Sequence, residues 1–252
     1  MTGSSDTPAS ATPPPGVPVM VVGRAQRLAE SMPGSPPSIS ADGRYVAFVS
    51  ESGDLVAGDH NGMADVFVRD TVENTTVLVS RSRFGGSGAG CSLQPSISAG
   101  GQVVAFTSSA PDLVPGDTNR TLDVYLHDRV TRVTTLISTA SDGTVGDAAS
   151  GQPLLSADGQ RVAFTSAATN LDPDDLNGVA DVYLRDVASG TTELVSRGLD
   201  GHAAGGLSSQ PAISADGETV AFTSSAPTWP RTTPTRWTTC SSGRWTAGRP
   251  GW

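Results

Sequence analysis

Acidic and amide side chains recur at one fixed spacing three times in this chain, and their types resemble a metal-binding set. Each set has an aspartate, an asparagine two places later and a second aspartate four places after that. The members are Asp59, Asn61 and Asp65; Asp117, Asn119 and Asp123; and Asp175, Asn177 and Asp181. Oxygen ligands at the first, third and seventh places are typical of the start of a calcium loop. The spacing therefore predicts calcium ligands, and no other cofactor is expected.

The same three sets have a second interpretation that needs no metal. The fifth place, which supplies a ligand in a calcium loop of the EF type, is Met63, Thr121 or Val179, so the match is incomplete. Asp and Asn also shape turns by hydrogen-bonding their own backbone. At the level of sequence, calcium binding and turn formation both stay open.

Other polar residues are assigned structural or surface positions. The aspartates stand before glycine in predicted hairpins, the histidines share no repeat position, and the serines recur without a nucleophile motif. These residues are Asp42, Asp158 and Asp216; His60, His127 and His202; and Ser40, Ser98, Ser156 and Ser214. The sequence thus supplies no catalytic residue, and it favours a protein that is not an enzyme.

A repeat of 58 residues positions all of these side chains. Its most regular phrase begins at Pro37, Pro95, Pro153 and Pro211. In the first unit, extended segments are predicted at residues 37–40, 44–50, 65–70 and 75–81. Four strands make one propeller blade, and one such unit cannot bury its apolar faces alone. The sequence therefore predicts an all-β fold, a β-propeller of four-stranded blades.

The phrase Pro-Ser-Ile-Ser-Ala-Asp-Gly-Arg-Tyr-Val-Ala-Phe at residues 37–48 resembles the WD-like repeat of TolB-type β-propellers. The resemblance extends from residue 37 to about residue 226, with longer loops in each unit than the family has. It implies about three full blades, starting near 37, 95 and 153, and partial blades at both ends. The fourth unit starts near 211 and is cut short.

Three regions are expected along the chain. Residues 1–16 are rich in Pro, Ser and Thr and are predicted to be disordered. Residues 17–227 hold the repeats, and a stray fourth strand is predicted at 19–24. Residues 228–252 are predicted to lack stable structure, because they have no amphipathic period and cannot complete a blade.

The repeat stops abruptly after Pro227. All 25 acidic residues precede this position, whereas four arginines and all four tryptophans follow it. With permitted codons, the alternate reading frame gives Asp-Leu-Ala-Pro-Asp-Asp-Thr-Asn-Ala-Val-Asp-Asp-Val-Phe-Val-Arg, which is the missing part of the repeat. We interpret 228–252 as a frameshifted tail in a truncated version of a longer parent; a genuine Arg- and Trp-rich extension is the alternative.

Composition limits the partners. A net charge of −9 argues against nucleic acid, since binding to phosphate backbones needs a basic surface. No apolar run approaches the roughly 20 residues that span a bilayer. As written, the chain is expected in the cytoplasm; a start codon further upstream would allow secretion. Open blade edges are expected to promote self-association.

The function expected from these features is non-catalytic. The resemblance implies a binding or scaffold module for a protein, peptide or glycan. One alternative is an accessory propeller of a hydrolase or lyase whose catalytic domain is absent from this chain. Another is a cell-surface repeat protein that calcium stabilises.

Overall fold

The computed structural model describes residues 35–198 and 200–226 in full and, for the backbone alone, residues 237–241. The predicted disordered segment 1–16, the predicted strand at 19–24 and most of residues 228–252 lie outside this described part.

Antiparallel sheets of four strands form the first three repeat units, in sequential order within each sheet. The first contains β1 (Ser38–Ile39), β2 (Tyr45–Ser50), β3 (Asp65–Asp70) and β4 (Thr75–Leu78); the second β5 (Ser92–Ile97), β6 (Val103–Ser108), β7 (Asp123–Asp128) and β8 (Val133–Leu136); the third β9 (Ser150–Leu155), β10 (Arg161–Ser166), β11 (Asp181–Asp186) and β12 (Thr191–Leu194). These bounds confirm the predicted all-β, four-stranded blades. The main difference is that the outer strand β4 ends at Leu78 rather than at Arg81.

The fourth sheet departs from this plan. It contains β13 (Ser208–Ile213), β14 (Val220–Ser224) and β15 (Trp237–Ser241). β15 runs parallel to β14, whereas the third strand of each complete blade is antiparallel to the second. Residues 237–241, within the segment predicted to lack stable structure, therefore do not reproduce the third strand of the repeat.

The core lies between successive blades, because the second strand of a blade is apolar on both faces. Val104 and Phe106 of β6 pack toward the first blade, and Ala105 of the same strand packs toward the third. All three side chains are completely buried. Such a strand needs a neighbour on each side, which is why the blades stack in chain order.

Identical hydrogen bonds join each blade to the next. The amide of Ala41 donates to the carbonyl of Ala99, that of Ala99 to Ala157, and that of Ala157 to Ala215. These residues lie in the hairpins between the first two strands of the blades. The 58-residue repeat is thus also the repeat of the contact between blades.

The hairpin glycines have a second role besides the turn itself. A Cβ added to Gly101 would lie 2.1 Å from the ring of Tyr45 in the preceding blade, and one added to Gly159 would lie 2.1 Å from Val103. Gly43 has the same positive φ, but the nearest atom to its added Cβ is 4.0 Å away. Close approach of the preceding blade therefore requires glycine at positions 101 and 159.

This difference gives a matched pair of variants. Gly43→Ala is expected to destabilise the protein by about 1–2 kcal/mol, the cost of a left-handed backbone at alanine. Gly101→Ala carries the same backbone cost and also pushes Tyr45 out of place, which adds about 1–3 kcal/mol. Urea unfolding of both variants measures the difference, and equal losses of stability would contradict this contact between blades.

Candidate functional site

The three predicted calcium sets lie in the loops between the second and third strands of the complete blades, and their asparagines form turns. The Oδ1 atom of Asn61 accepts a hydrogen bond from the amide of Met63 at 2.8 Å. Its Nδ2 atom donates to the carbonyl of Gly88 at 2.9 Å. Asn119 and Asn177 make the equivalent bonds. Each asparagine thus shapes its own turn and ties it to the loop that follows the outer strand.

The second aspartate of each set is buried at the start of the third strand. Asp65 accepts from the Ser80 hydroxyl at 2.6 Å and from Asn61 at 2.7 Å. Burial raises the pKa of Asp65 to about 6, and the pKa of Asp181 likewise. These carboxylates hold the segment that follows the outer strand, through a serine two places after its end, and are already engaged by donors from the protein.

The first aspartate of each set differs between the blades in its hydrogen bonding. Asp117 accepts from the Tyr125 hydroxyl and Asp175 from the Tyr183 hydroxyl, each at 2.5 Å. In the first blade the corresponding ring is Phe67, which has no hydroxyl. Both carboxylate oxygens of Asp59 are buried there and have no hydrogen-bond partner in the described part of the chain.

These geometries bear on the fit of a calcium ion. Within the described residues, no group of three or more His, Cys, Asp or Glu side chains is placed to hold a metal. The asparagine oxygens and the second aspartates already accept hydrogen bonds from the protein, as described above. Only in the first blade does the first aspartate keep two buried oxygens that await a donor or a cation. The donor set therefore fits a cation better at Asp59 than at Asp117 or Asp175.

A second candidate site is a groove of about 640 Å³ between the outer parts of the first and second blades. One wall is formed by β4 and the residues just after it, and the other by β7 and β8. We call it the arginine groove, because its lining includes Arg81, Arg83, Arg129 and Arg132. Arg81, Arg83 and Arg132 are exposed and make no ion pair with the described residues.

Contacts across the two blades fix the inner end of the groove. The Arg129 guanidinium lies 4.2 Å from the ring centroid of Tyr45 and donates to the carbonyl of Gly101. His127 is buried beside it, with Nδ1 3.0 Å from the Thr134 hydroxyl. Burial lowers the pKa of His127 to about 4, so this ring is neutral at pH 7 and the positive charge of the groove comes from the arginines.

Sequence reasoning did not find this groove. Its arginines come from two repeat units and meet only when the blades stack. A signal was nevertheless present, because Arg83, Arg129 and Arg132 depart from the repeat. The corresponding residues of the other complete units are uncharged: Ser141 and Leu199 for Arg83, Thr71 and Val187 for Arg129, and Asn74 and Gly190 for Arg132.

Comparison with known proteins gives a likeness in fold. No protein-family model and no curated protein matches the chain. Among solved structures it is similar to TolB from Acinetobacter baumannii, at 21% identity and a TM-score of 0.45, over 75% of this chain and 37% of that one. A putative TolB from Agrobacterium tumefaciens has 17% identity and a TM-score of 0.48, over 73% and 51%. The fold is a β-propeller of four-stranded antiparallel blades.

The blade sheets themselves carry this conclusion, since the identities are low. Oligogalacturonate lyase from Vibrio parahaemolyticus is also similar, at 16% identity and a TM-score of 0.44, over 75% of this chain and 45% of that one. This propeller chain spans 37% and 51% of the length of the two TolB structures. The described residues contain no helix that is long and apolar enough to cross a membrane.

The hairpin residues of the propeller occupy the positions predicted for them, whereas the prediction of a surface or loop position is wrong for His127, which is buried on β7. Asp42 accepts from the Ser40 hydroxyl at 2.6 Å and from the amide of Arg44, and these bonds hold its pKa below the usual value. Ser156 and Ser214 donate to Asp158 and Asp216 in the same way. The hairpin aspartates and serines are therefore turn residues, as predicted.

The unpartnered Asp59 gives a direct prediction for the propeller. Phe67→Tyr supplies the hydroxyl present in the next two blades and is expected to raise stability by about 1 kcal/mol. Tyr183→Phe leaves Asp175 without its donor and is expected to lower stability by about 1–3 kcal/mol. Urea unfolding tests both. A loss of stability in Phe67→Tyr as large as that in Tyr183→Phe would show that Asp59 does not need a donor.

Proposed function

We propose that this propeller is a non-catalytic binding module for a protein, peptide or glycan, within a longer parent protein, and that its ligand binds in the arginine groove. The observation that carries the proposal is that three exposed arginines of the groove, Arg81, Arg83 and Arg132, make no ion pair with the described residues. Elsewhere, recurring polar residues such as Asn61, Asp65 and Ser80 bond to one another within the blade. Arg83 and Arg132 break the repeat instead, and these exposed side chains point to a role outside the fold.

The shape of the groove supports the same proposal. Concave surfaces that combine apolar side chains with a few charged groups are typical ligand sites. Here Val77, Leu78, Leu113 and Pro115 supply the apolar part of the lining. Because stacked blades form both walls, the groove is preformed and needs no folding of loops before a ligand enters.

Filling the groove tests its role. We expect a mixed array of immobilised peptides and glycans to show ligands for the full chain, and Val77→Trp to weaken their binding at least tenfold. Val77 lies on β4, lines the groove and is 42% exposed, so the larger ring has room to fold. Val133→Trp is the matched control, since Val133 is an exposed outer-strand valine outside the groove. Binding that is equally strong in both variants, or no binding by the wild-type chain, would contradict the proposal.

Asp59 favours calcium binding in the first blade as a second role. Its two buried, unpartnered carboxylate oxygens are hard ligands of the kind calcium prefers. The neighbouring Asp65 adds negative charge close by: burial raises the pKa of Asp65, and the charge of Asp59 raises it further. A bound cation would neutralise both carboxylates and stabilise the loop.

Calcium at about 1 mM is expected to raise the Tm by roughly 3 °C, because a ligand that binds only the folded state stabilises it. Asp59→Asn and Phe67→Tyr should both remove this shift, the first by deleting a ligand and the second by giving Asp59 a protein donor. Differential scanning calorimetry with magnesium as the control ion measures it. An equal calcium shift in all three proteins would exclude a site at Asp59.

A further inference from the structure

We infer that the arginine groove binds an acidic peptide segment, whose carboxylates pair with Arg81 and its neighbours. This inference rests on the proposal that the groove is the ligand site. It adds the chemical class of the ligand, which follows from a comparison of the first blade with the third.

The third blade shows how the fold satisfies the equivalent arginine. Arg197 stands two repeats after Arg81. Its Nη2 atom lies 2.8 Å from Oδ2 of Asp172, and its Nη1 atom pairs with Asp174. The same Oδ2 atom of Asp172 also accepts from the amide of Leu194 on the outer strand, at 3.2 Å. A carboxylate held by a guanidinium and a backbone amide is thus built into this blade.

The first blade keeps the donors and lacks the carboxylates. Arg81 and Leu78 stand where Arg197 and Leu194 stand, and both line the groove. The places of Asp172 and Asp174 are taken by Val56 and Gly58, neither of which has a side-chain acceptor. The Val56 side chain fills the place of Asp172 and packs against the cluster of Phe48, Phe67 and Leu78. A carboxylate from outside can therefore pair with Arg81 from the groove, where the first blade supplies no acid of its own.

The other arginines extend this preference along the groove. Arg83 and Arg132 are exposed, and the described part of the chain offers them no ion pair. By contrast, Arg44 and Arg161 lie within salt-bridge distance of Asp70 and Asp186. In a chain of net charge −9, this local excess of positive charge favours an anionic ligand. Arginine clusters are a common means of recognising acidic peptide motifs.

A peptide fits the rest of the lining better than a nucleic acid does. The side chains of Val77, Leu78 and Leu113 line the groove together with the arginines, which suits a segment with both acidic and aliphatic side chains. The exposed Phe84 ring lies beside the lining, with the Arg83 guanidinium 4.6 Å from its centroid, but the lining itself offers no row of aromatic rings on which successive unpaired bases could stack.

Fluorescence anisotropy with the full chain tests the inference. The probe is a fluorescein-labelled Glu-Leu-Glu-Val-Asp-Leu-Glu peptide, and its control has Gln and Asn in place of Glu and Asp. We expect the acidic peptide to bind at least tenfold more tightly than the control peptide. Its affinity should fall as NaCl is raised, because exposed ion pairs are screened by salt.

Three variants locate the contact. Arg81→Gln removes the central guanidinium, and Val56→Asp restores the internal carboxylate seen at Asp172; both are expected to weaken binding at least tenfold. Both variants lower the net charge by one, as the control variant does, so a loss of binding confined to these two reports pairing at Arg81 rather than net charge. Arg120→Gln, at an exposed arginine outside the groove lining, should change affinity less than twofold. Circular dichroism shows whether each variant is folded.

A polyuronate oligomer and a single-stranded oligonucleotide serve as competing ligand classes. The inference is overturned if the acidic and amide peptides bind alike, if neither binds, if folded Arg81→Gln and Val56→Asp bind as the wild type does, or if only a competing class binds. Val77→Trp then distinguishes the two levels of the proposal. If a glycan or neutral ligand binds and Val77→Trp weakens its binding, the groove remains the ligand site and only the acidic-peptide inference is wrong. If Val77→Trp weakens the binding of no ligand, both the groove as ligand site and the acidic-peptide inference are wrong.

Discussion

The structure depends on the packing of each second strand between two neighbouring blades. Val104, Ala105 and Phe106 are consecutive apolar residues, so both faces of β6 are apolar. Exposing either face to solvent would carry a large hydrophobic penalty. The pairing of Gly101 with Tyr45 sets how closely the blades approach. The turns, the loops between blades and the arginine groove all take their positions from this stacking.

Strict repetition divides the side chains into two groups. Where the 58-residue pattern holds, polar residues bond within the blade, as Asn61, Asp65 and Ser80 do. Where it fails, a donor or an acceptor loses or gains a partner: Phe67 leaves Asp59 without a hydroxyl, and Asp172, in the place of Val56 and Val114, gives Arg197 a carboxylate that Arg81 lacks. These two departures account for the two candidate binding features of the first blade.

Much of the fold could be predicted from the sequence, because a blade is encoded locally. The period, the apolar strand at residues 45–49 and the Asp-Gly hairpins each report on neighbouring residues. The groove could not be predicted in this way, since Arg81 and Arg132 lie in different units and meet only through stacking. The unpartnered state of Asp59 was hidden for the same reason: it depends on the hydroxyl missing from Phe67, eight places along the chain.

The fourth blade follows the repeat only through its second strand. Its first two strands, β13 and β14, follow the repeat, whereas the sequence beyond Pro227 has none of the residues that start a third strand elsewhere. The strand on the other side of β14, β15, runs parallel to it, whereas a third strand of the repeat would be antiparallel. The frameshift interpretation, in which the alternate frame restores these residues, stays a prediction.

Native-state hydrogen exchange of the second strands tests the central claim that blades are stable only through their neighbours. If stacking holds the fold together, the amides of β6 and β10, each covered by a blade on both sides, will exchange slowest and with one shared free energy of opening. Separate opening energies for these two strands, each equal to that of its own blade in isolation, would mean that blades fold independently and that stacking is not the organising contact.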